Sequence, residues 1–346
     1  MWLLKTLSKD KENKYLNLIK YYVEKNIERY SPHRNDIGKY LKEHLDVLLL
    51  GHPQDLYKLS EDLILKIFKK RNRYDEWKII KQSRKKSSKT LSKLKRYEFI
   101  EKIFDYNSIM KLKINKNSEE EENVSYKVAK IIGVPVCVYC NRQYIFTVNK
   151  KDNTKKGITR PQFDHYLPKS IYPFFALSLY NLIPSCSICN SLKSDKDINR
   201  IESIKDKNFE DIKMNPYIKK GEIDDLFKFS YYPNKYGEPE EIKIIQTRNK
   251  DYKKKVEAFL ELFKIEEIYS AHAGFEVKDL YNFATKYSDT YLQSLLEQIG
   301  LYYRLSQEDA YRLLFGTELY SKNDNNRPLS KLKRDLLEEF GIIPKK

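Results

Sequence analysis

The chain has 346 residues, about twice the length of a typical domain, so its length predicts two or three structural units. Apolar residues make up 40% of the sequence, enough to build hydrophobic cores, which argues against wholesale disorder. Its apolar runs are far shorter than the roughly 20 residues that cross a bilayer, and its first residues show no signal-peptide pattern. We therefore expect a cytoplasmic protein, neither integral to a membrane nor secreted.

Lysine and arginine together number 66 against 49 acidic residues, which gives a net charge of +17. An excess of this size favours a polyanionic partner, most often nucleic acid. Lysine-rich surfaces are also common in proteomes biased toward Lys, Ile and Asn. Charge therefore favours nucleic acid without deciding the matter.

Residues 1–114 are predicted to be helical, because apolar side chains recur there at helical spacing. The residues that carry this pattern are Tyr15, Leu18, Ile19, Tyr22, Leu59, Leu63, Ile67 and Phe68.

A basic segment lies within this region. Residues 66–96 hold 14 Lys or Arg residues but only two acidic ones, Asp75 and Glu76. The segment is either a solvated helix face followed by a loop, or a patch that tracks nucleic-acid phosphates, with Tyr74 and Trp77 available for packing or stacking. A third interpretation, a docking surface for a protein partner, stays open.

The central part of the chain changes character. Residues 115–123 are polar and include four consecutive glutamates, which predicts a linker or an exposed loop. A short helix over 124–132 is expected to lead into the first cysteine pair. The elements predicted beyond it are strands over 144–148 and up to Phe163, a loop over 168–173, an extended segment over 181–184 and a helix at the second cysteine pair.

The C-terminal part is predicted to contain one β-hairpin, with strands over 226–232 and 241–245, followed by helices. The helices are expected over 248–263, over 277–299, from a capping-box-like start at Ser306 to Gly316, and from Pro328 to Gly341. The pattern as a whole predicts an α+β protein with three regions: a helical one over 1–122, a central one over 123–200 and a mainly helical one over 201–346.

All four cysteines fall in two Cys-x-x-Cys pairs, Cys137 with Cys140 and Cys186 with Cys189. In a reducing compartment, two such pairs without a stray thiol are typical of a tetrahedral structural zinc site. The alternatives are a redox motif and two disulfides, but a redox motif needs only one pair and disulfides are rare in the cytosol. We therefore expect the four thiolates to bind Zn²⁺.

The residues around the two cysteine pairs carry an ordered pattern. Asp164 and His165 stand at the end of a predicted strand, Asn181 precedes a short extended segment, and Asn190 follows the last cysteine at the start of a predicted helix. In this order they resemble the HNH nucleases of the ββα-metal (His-Me finger) superfamily, in the subgroup with two zinc-binding cysteine pairs. The resemblance covers residues 137–197 and implies a zinc-stabilised ββα-metal core flanked by helical regions.

The resemblance also implies a role for each residue. His165 corresponds to the general base, Asp164 and Asn190 to ligands of a catalytic Mg²⁺, and Asn181 to the residue that holds the loop and helps to orient the histidine. The chemistry agrees, because a neutral histidine can take a proton from water and a hard cation with oxygen ligands neutralises charge at phosphorus. Asn190 stands where the name-giving motif has histidine, which leaves Mn²⁺ or another divalent cation as an alternative.

Other sequence features bear on phosphate binding and catalysis. No phosphate-binding GxxxxGK[ST] or dinucleotide-binding GxGxxG motif is present, which argues against nucleotide hydrolysis by this chain. Four cations are candidates for phosphate binding, although a solvated surface charge explains each equally well: Arg142, Arg160, Lys169 and Lys193. Four other histidines show no partner at metal-ligand spacing and are expected to be structural or surface residues: His33, His44, His52 and His272.

The resemblance implies a metal-dependent endonuclease that hydrolyses phosphodiester bonds in DNA and leaves 5′-phosphate and 3′-hydroxyl ends. Segments 215–217 and 327–335 are loosely similar to larger bacterial HNH proteins of anti-phage defence, such as Septu-type systems, in which the nuclease works beside an ATPase. This implies a role in defence or restriction, with an ATPase or a second copy of the chain as partners beside DNA. Two alternatives stay open: a non-catalytic zinc-ribbon module that binds nucleic acid, and an HNH-type ribonuclease toxin.

Overall fold

The structure is a computed structural model, which contains helices and four two-stranded antiparallel sheets within its described residues. The predicted α+β class is therefore confirmed. None of the helices it describes is both long and apolar enough to cross a membrane. The described residues are 4–31, 36–82, 95, 97–114, 122–150, 157–196, 215–217, 226–246, 250–287, 289–303 and 305–343.

The N-terminal region is helical, as its apolar spacing predicts. Its helices are α1 (Lys9–Tyr30), α2 (Ile37–Glu43), α3 (Leu45–Leu50), α4 (Pro53–Phe68), α5 (Arg71–Gln82), α6 (Glu98–Ile103) and α7 (Tyr106–Lys111). The hydroxyl of Ser8 caps α1 by accepting a hydrogen bond from the backbone N–H of Lys11 at 3.4 Å. Apolar residues at four-residue spacing along α1 are buried, so this helix turns one face into the core.

The basic segment over 66–96 is described only up to residue 82 and at residue 95. The loop predicted in it therefore lies outside the described residues. Trp77 on α5 is 3% exposed and packs against Phe68, with ring centroids 5.3 Å apart. Of the two uses predicted for this ring, packing is the one observed, and the phosphate patch stays a prediction.

The central region forms small strands around one short helix. Its elements are β1 (Lys113–Ile114), β2 (Glu122–Asn123), α8 (Val124–Ile132), β3 (Val148–Asn149), β4 (Gly157–Thr159), β5 (Gln162–His165), β6 (Leu182–Ser185) and α9 (Ser187–Lys193). Strand β5 pairs with β6, so that Asp164 lies opposite Ile183 and His165 lies opposite Leu182. Helix α9 follows β6 directly and packs on β5.

The strand predicted over 144–148 is mostly wrong, since only Val148 of that range lies in a regular strand. The residues before it fold back on the first cysteine pair instead. The backbone N–H of Ile145 donates to the Pro135 carbonyl at 2.7 Å, and the N–H of Cys137 donates to the Gln143 carbonyl at 3.0 Å. Backbone groups that the prediction assigned to a sheet are used to close this turn.

The C-terminal region contains the predicted hairpin and a set of helices. Its elements are β7 (Phe227–Pro233), β8 (Pro239–Gln246), α10 (Lys250–Phe263), α11 (Ile265–Ser270), α12 (Lys278–Lys286), α13 (Asp289–Tyr303), α14 (Gln307–Phe315) and α15 (Ser330–Glu339). Helix α14 is capped by Ser306 and ends at Gly316 in the left-handed conformation, as predicted. The single helix predicted over 277–299 is wrong, because Tyr287 is extended and ends α12 before α13 begins.

Buried charges hold the last helix in place. The Asp335 carboxylate accepts a hydrogen bond from the Phe229 backbone N–H at 2.8 Å and pairs with Lys331 at 3.0 Å. Arg334 is 1% exposed and pairs with Asp324. The charged residues of the segment over 327–335 therefore connect α15 to β7 and to the 3₁₀ helix Ser321–Asn326, which contains Asp324.

One hydrophobic core includes residues from all three predicted regions. On the N-terminal side, the Tyr15 hydroxyl donates to the Leu177 carbonyl at 2.7 Å. On the C-terminal side, the Asn141 side chain accepts from the Ser330 N–H at 3.2 Å and donates to the Asp324 carbonyl at 2.8 Å. Both flanking regions thus pack directly on the central one, and the predicted boundaries at 122 and 200 stay predictions.

Candidate active site and metal centre

The four cysteine side chains form one buried cluster of free thiols. Their Sγ atoms all lie within 4.8 Å of one another. A tetrahedral zinc ion with Zn–S bonds of about 2.3 Å requires sulfurs about 3.8 Å apart. The cluster therefore fits zinc and could hold one ion, and the prediction that these four residues come together is confirmed.

Backbone N–H groups support the sulfurs and connect them to helix α9. The N–H of Cys186 donates to Cys137 Sγ at 3.2 Å, and the N–H of Cys189 donates to Cys186 Sγ at 3.4 Å. Cys186 is also the N-cap of α9. The cluster therefore fixes the start of the helix that carries Asn190.

Asp164, His165 and Asn190 line one cavity of about 390 Å³. The first two come from β5 and the third from α9, which packs against that strand. The Asn190 side-chain amide donates to Oε1 of Gln162 at 2.8 Å and so ties the helix to the strand. The structure thus brings together three of the four residues predicted to take part in catalysis.

Asp164 is 4% exposed and is surrounded by hydrogen-bond donors. The Tyr139 hydroxyl donates to Oδ2, while the ammonium of Lys193 lies 3.3 Å from Oδ1 and 3.1 Å from Oδ2. Burial raises the pKa of Asp164, and the Lys193 charge and the Tyr139 hydrogen bond act in the opposite direction. These two partners stabilise the ionised carboxylate.

His165 is buried beside the Tyr106 ring, with ring centroids 4.6 Å apart and an edge-to-face geometry. Its Nε2 lies 2.9 Å from the Ala176 carbonyl oxygen. Because a carbonyl only accepts, Nε2–H is the donor, and Nδ1 is the acceptor of the neutral ring. Burial lowers the pKa of His165 to about 3, and the cations of Lys169 and Lys193 act in the same direction. The ring is therefore neutral at physiological pH.

Asn181 is buried, and the described walls of the cavity do not include it. Its side chain accepts from the Leu167 N–H at 2.8 Å and donates to the carbonyls of Leu167 at 3.1 Å and Phe175 at 3.0 Å. It therefore closes the loop that follows His165 and holds the residue next to Ala176. The Asn181 side chain therefore acts on the histidine through this loop.

The four candidate phosphate-binding cations have different surroundings. Arg160 and Lys169 line the cavity, whereas Arg142 is not among its described walls. Lys193 is fully buried, and besides Asp164 its ammonium contacts the His165 carbonyl at 2.6 Å. Both interpretations of Lys193 from the sequence, phosphate binder and solvated surface charge, are therefore wrong.

Sequence reasoning missed one residue of this site, Tyr139, and assigned the wrong surroundings to another, Lys193. Tyr139 lies between the cysteines of the first pair, and its ring stacks on Phe263 with centroids 4.4 Å apart. Its place inside the cysteine pair was a usable signal, because a residue there lies next to whatever the metal-binding turn packs against. Lys193 lies one helical turn after Asn190 on the side that packs on β5, a contact that only the fold reveals.

Comparisons with known proteins identify no relative. No protein-family model, curated protein or solved structure matches the chain. The HNH resemblance therefore rests on the pattern of residues alone.

Proposed function

We propose that the chain is a divalent-metal-dependent endonuclease of the HNH type, which hydrolyses phosphodiester bonds in DNA and is stabilised by a structural zinc ion. The observation that carries this proposal is the cavity that joins Asp164, His165 and Asn190 with the cations Arg160 and Lys169. A phosphodiester needs a base for the attacking water, charge neutralisation at phosphorus and help for the departing oxygen. The cavity holds a candidate residue for each task.

His165 is the general base of the proposal. Burial keeps the ring neutral, and the Nε2–H donated to Ala176 leaves Nδ1 to accept a proton from water. The hydrogen bond to Ala176 also fixes the ring, and Asn181 holds the loop on which Ala176 lies. Asn181 is therefore a positioning residue.

Asp164 and Asn190 are the proposed ligands of the catalytic cation, because both residues line the cavity and carry side-chain oxygens, the ligand type that Mg²⁺ prefers. An ionised carboxylate has about four lone-pair sites. The Tyr139 and Lys193 partners of Asp164 therefore leave it acceptor capacity, and the residues fit such an ion. A bound divalent cation would neutralise charge on the phosphate and assist the departing 3′ oxygen.

Arg160 and Lys169 are the proposed phosphate contacts of the cavity. Lys169 is half-buried, and its ammonium donates to Oδ1 of Asn107 at 3.0 Å. Burial lowers the pKa of Lys169. Cations placed beside a reacting phosphate stabilise the charge that develops in the transition state. Neither residue specifies a base sequence, since phosphate contacts position a nucleic acid without reading it.

The proposed setting is bacterial anti-phage defence or restriction, with an ATPase or a second copy of the chain as partner. Its support is the similarity of segments 215–217 and 327–335 to larger defence nucleases. Because one active site cuts one strand, a double-strand break requires a dimer or two successive visits. Co-purification of the chain with the products of its neighbouring genes would identify an ATPase partner.

The experiment that tests the proposed function is cleavage of matched DNA and RNA oligonucleotides of one sequence, with and without Mg²⁺. We expect DNA products with 5′-phosphate and 3′-hydroxyl ends, formed only with the metal. Cleavage confined to RNA would favour the ribonuclease alternative. Tight, metal-independent binding of the oligonucleotides, without cleavage of either the DNA or the RNA, would favour the zinc-ribbon module.

A further inference from the structure

The cavity that holds Asp164 and His165 adjoins a second one. This second cavity, the side cavity, has a volume of about 450 Å³ and lies between α7, the start of α8 and strand β4. Three residues line both cavities: Tyr106, Arg160 and Gln162. A molecule in the side cavity would therefore contact the same side chains as a phosphate at His165.

The walls of the side cavity combine apolar and polar groups. Met110 is 3% exposed, and the Tyr126 ring adds a second apolar surface. The side-chain amides of Asn107 and Asn123 and the Lys111 ammonium supply donors and acceptors. Small-molecule sites have volumes of roughly 300–1,000 Å³ and this mixture of walls. One nucleotide, with a flat base and a charged phosphate, matches it.

The Tyr126 ring is held in place by a glycine. A Cβ atom at Gly157 would lie 2.1 Å from Cζ of Tyr126, so the ring rests against the bare backbone of β4. The Arg160 guanidinium lies 5.8 Å from the Tyr126 ring centroid, within the range of a cation–π contact. A ring fixed in this way is a preformed stacking surface.

The junction between the cavities is equally ordered. The Lys169 ammonium donates to the Asn107 side chain at 3.0 Å and lies 4.6 Å from the Tyr106 ring centroid. Tyr106 in turn contacts the His165 ring. Burial raises the pKa of Tyr106 to about 12, so its hydroxyl keeps its proton. A strand that places one phosphate at His165 therefore has its neighbouring nucleotide next to the side cavity.

We propose that the side cavity binds one unpaired nucleobase beside the scissile phosphate, and that the substrate is DNA with an unpaired nucleotide at this position. The proposal rests on the proposed endonuclease function. A base inside a duplex is stacked and paired and cannot lie against the Tyr126 ring unless it is flipped out of the helix. Aromatic stacking accepts any base, so we expect no sequence preference from Tyr126.

The first test is binding, measured without Mg²⁺ so that chemistry does not interfere. Fluorescence anisotropy of a labelled single-stranded DNA oligonucleotide is compared with that of the same sequence as a perfect duplex. We expect tighter binding of the single strand, and a loss of about fivefold to 150-fold in Tyr126→Ala, the range that stacking of one base corresponds to. Tyr126→Phe keeps the ring and should bind as the wild type does, and so should the remote exposed control Tyr236→Ala.

Zinc content and melting temperature are measured to check that the variants are folded. Both values must be the same in Tyr126→Phe as in the wild type. Gly157→Ala provides a second variant, because the added Cβ displaces the Tyr126 ring without removing it. Equal binding of single strand and duplex by the wild type, or unchanged binding by Tyr126→Ala and Gly157→Ala, would overturn the proposal.

The second test is cleavage of single strands that carry one abasic nucleotide at successive positions. We expect slower cleavage only when the abasic nucleotide adjoins the cut, on one side of it, and no such effect in Tyr126→Ala. An even profile would contradict a base-binding side cavity while leaving the endonuclease intact. If no DNA is cut at all, the endonuclease proposal fails, and the binding comparison still decides whether the side cavity takes a base.

Discussion

The hydroxyl of Tyr139 donates a hydrogen bond to the carboxylate of Asp164, although the two residues are 25 positions apart in the chain. Tyr139 belongs to the first cysteine pair, and Asp164 lies on the cavity wall. The same carboxylate pairs with Lys193, which follows the second cysteine pair on α9. Both halves of the cysteine cluster thus reach the proposed metal ligand, so that zinc binding and the geometry of Asp164 are linked.

This link predicts the behaviour of Tyr139→Phe. The variant keeps the ring that stacks on Phe263 but loses a hydrogen bond to a charged group, worth about 1.5–3 kcal/mol. We expect unchanged zinc content, a lower free energy of unfolding and a Mg²⁺ requirement raised about tenfold, since a looser carboxylate is a poorer ligand. Tyr311→Phe is the control, because it removes a buried hydrogen bond to the Ile342 carbonyl far from the cavity. Equal Mg²⁺ dependence of Tyr139→Phe and the wild type would show that the bond is only structural.

Lys193→Met removes the buried partner of Asp164. Breaking a buried ion pair by removing one member costs about 3–5 kcal/mol, because the other charge is left unpaired. A divalent cation can replace the lost positive charge. We therefore expect a lower melting temperature without metal and a larger rise on addition of Mg²⁺ than in the wild type, measured by differential scanning calorimetry. An identical response of both proteins to Mg²⁺ would argue against a cation at Asp164.

Loss of one cysteine tests the zinc centre. In Cys189→Ser we expect purified protein with less than one zinc ion per chain, a large loss of stability and no activity, because structural zinc contributes directly to folding. Metal analysis and thermal unfolding measure this. Ser187→Ala, an exposed change in the same helix, should keep one zinc ion per chain. Wild-type protein without any zinc after purification in metal-replete medium would contradict the assignment.

Glu12 on α1 predicts a pH effect on stability. It is 3% exposed, pairs with Lys9 at 2.8 Å and accepts a hydrogen bond from the Tyr180 hydroxyl at 2.5 Å. Burial acts to raise the pKa of Glu12, but these hydrogen bonds outweigh it, and the pKa lies below its usual value of 4.5.

Because its pKa is lower in the folded state, Glu12 stabilises the protein above the unfolded-state pKa, and the contribution is lost as the pH falls through the folded-state pKa. We expect Glu12→Gln to cost about 1–3 kcal/mol at neutral pH. The difference from the wild type should shrink as the pH drops below about 4.5. Denaturant unfolding at several pH values measures the difference in free energy of unfolding between the two proteins. A difference that stays constant to pH values well below about 4.5 would contradict the account.

Much of the fold could be predicted from local patterns. The apolar spacing on α1 and α4, the capping serine of α14 and the alternation in β7 and β8 are signals that neighbouring residues carry. The spacing of the cysteines predicted their cluster, because ligand geometry restricts the arrangement. The prediction of one helix over 277–299 was wrong because Tyr287 is extended and ends the helix. Apolar periodicity continues on both sides of Tyr287, so the sequence pattern does not show the interruption.

The surroundings of the candidate site could not be predicted in the same way. The sequence predicts a phosphate binder or a solvated charge at Lys193, yet this residue is fully buried against Asp164. Tyr139 and Asp164 meet because the turn of the first cysteine pair packs on the β5–β6 sheet, where the N–H of Val138 donates to the Pro184 carbonyl of β6 at 3.2 Å. Contacts of this kind depend on packing between segments, and a single sequence does not show which lysine faces a carboxylate.

The central claim is that His165 is the general base of a metal-dependent nuclease. The most direct measurement is nicking of supercoiled plasmid DNA by the wild type, His165→Ala and the control His272→Ala, each with and without Mg²⁺, with zinc content checked on the same samples. The account predicts Mg²⁺-dependent nicking by the wild type and the control, and a loss of about 100-fold or more in zinc-loaded His165→Ala. Equal nicking by zinc-loaded His165→Ala and the wild type would contradict it.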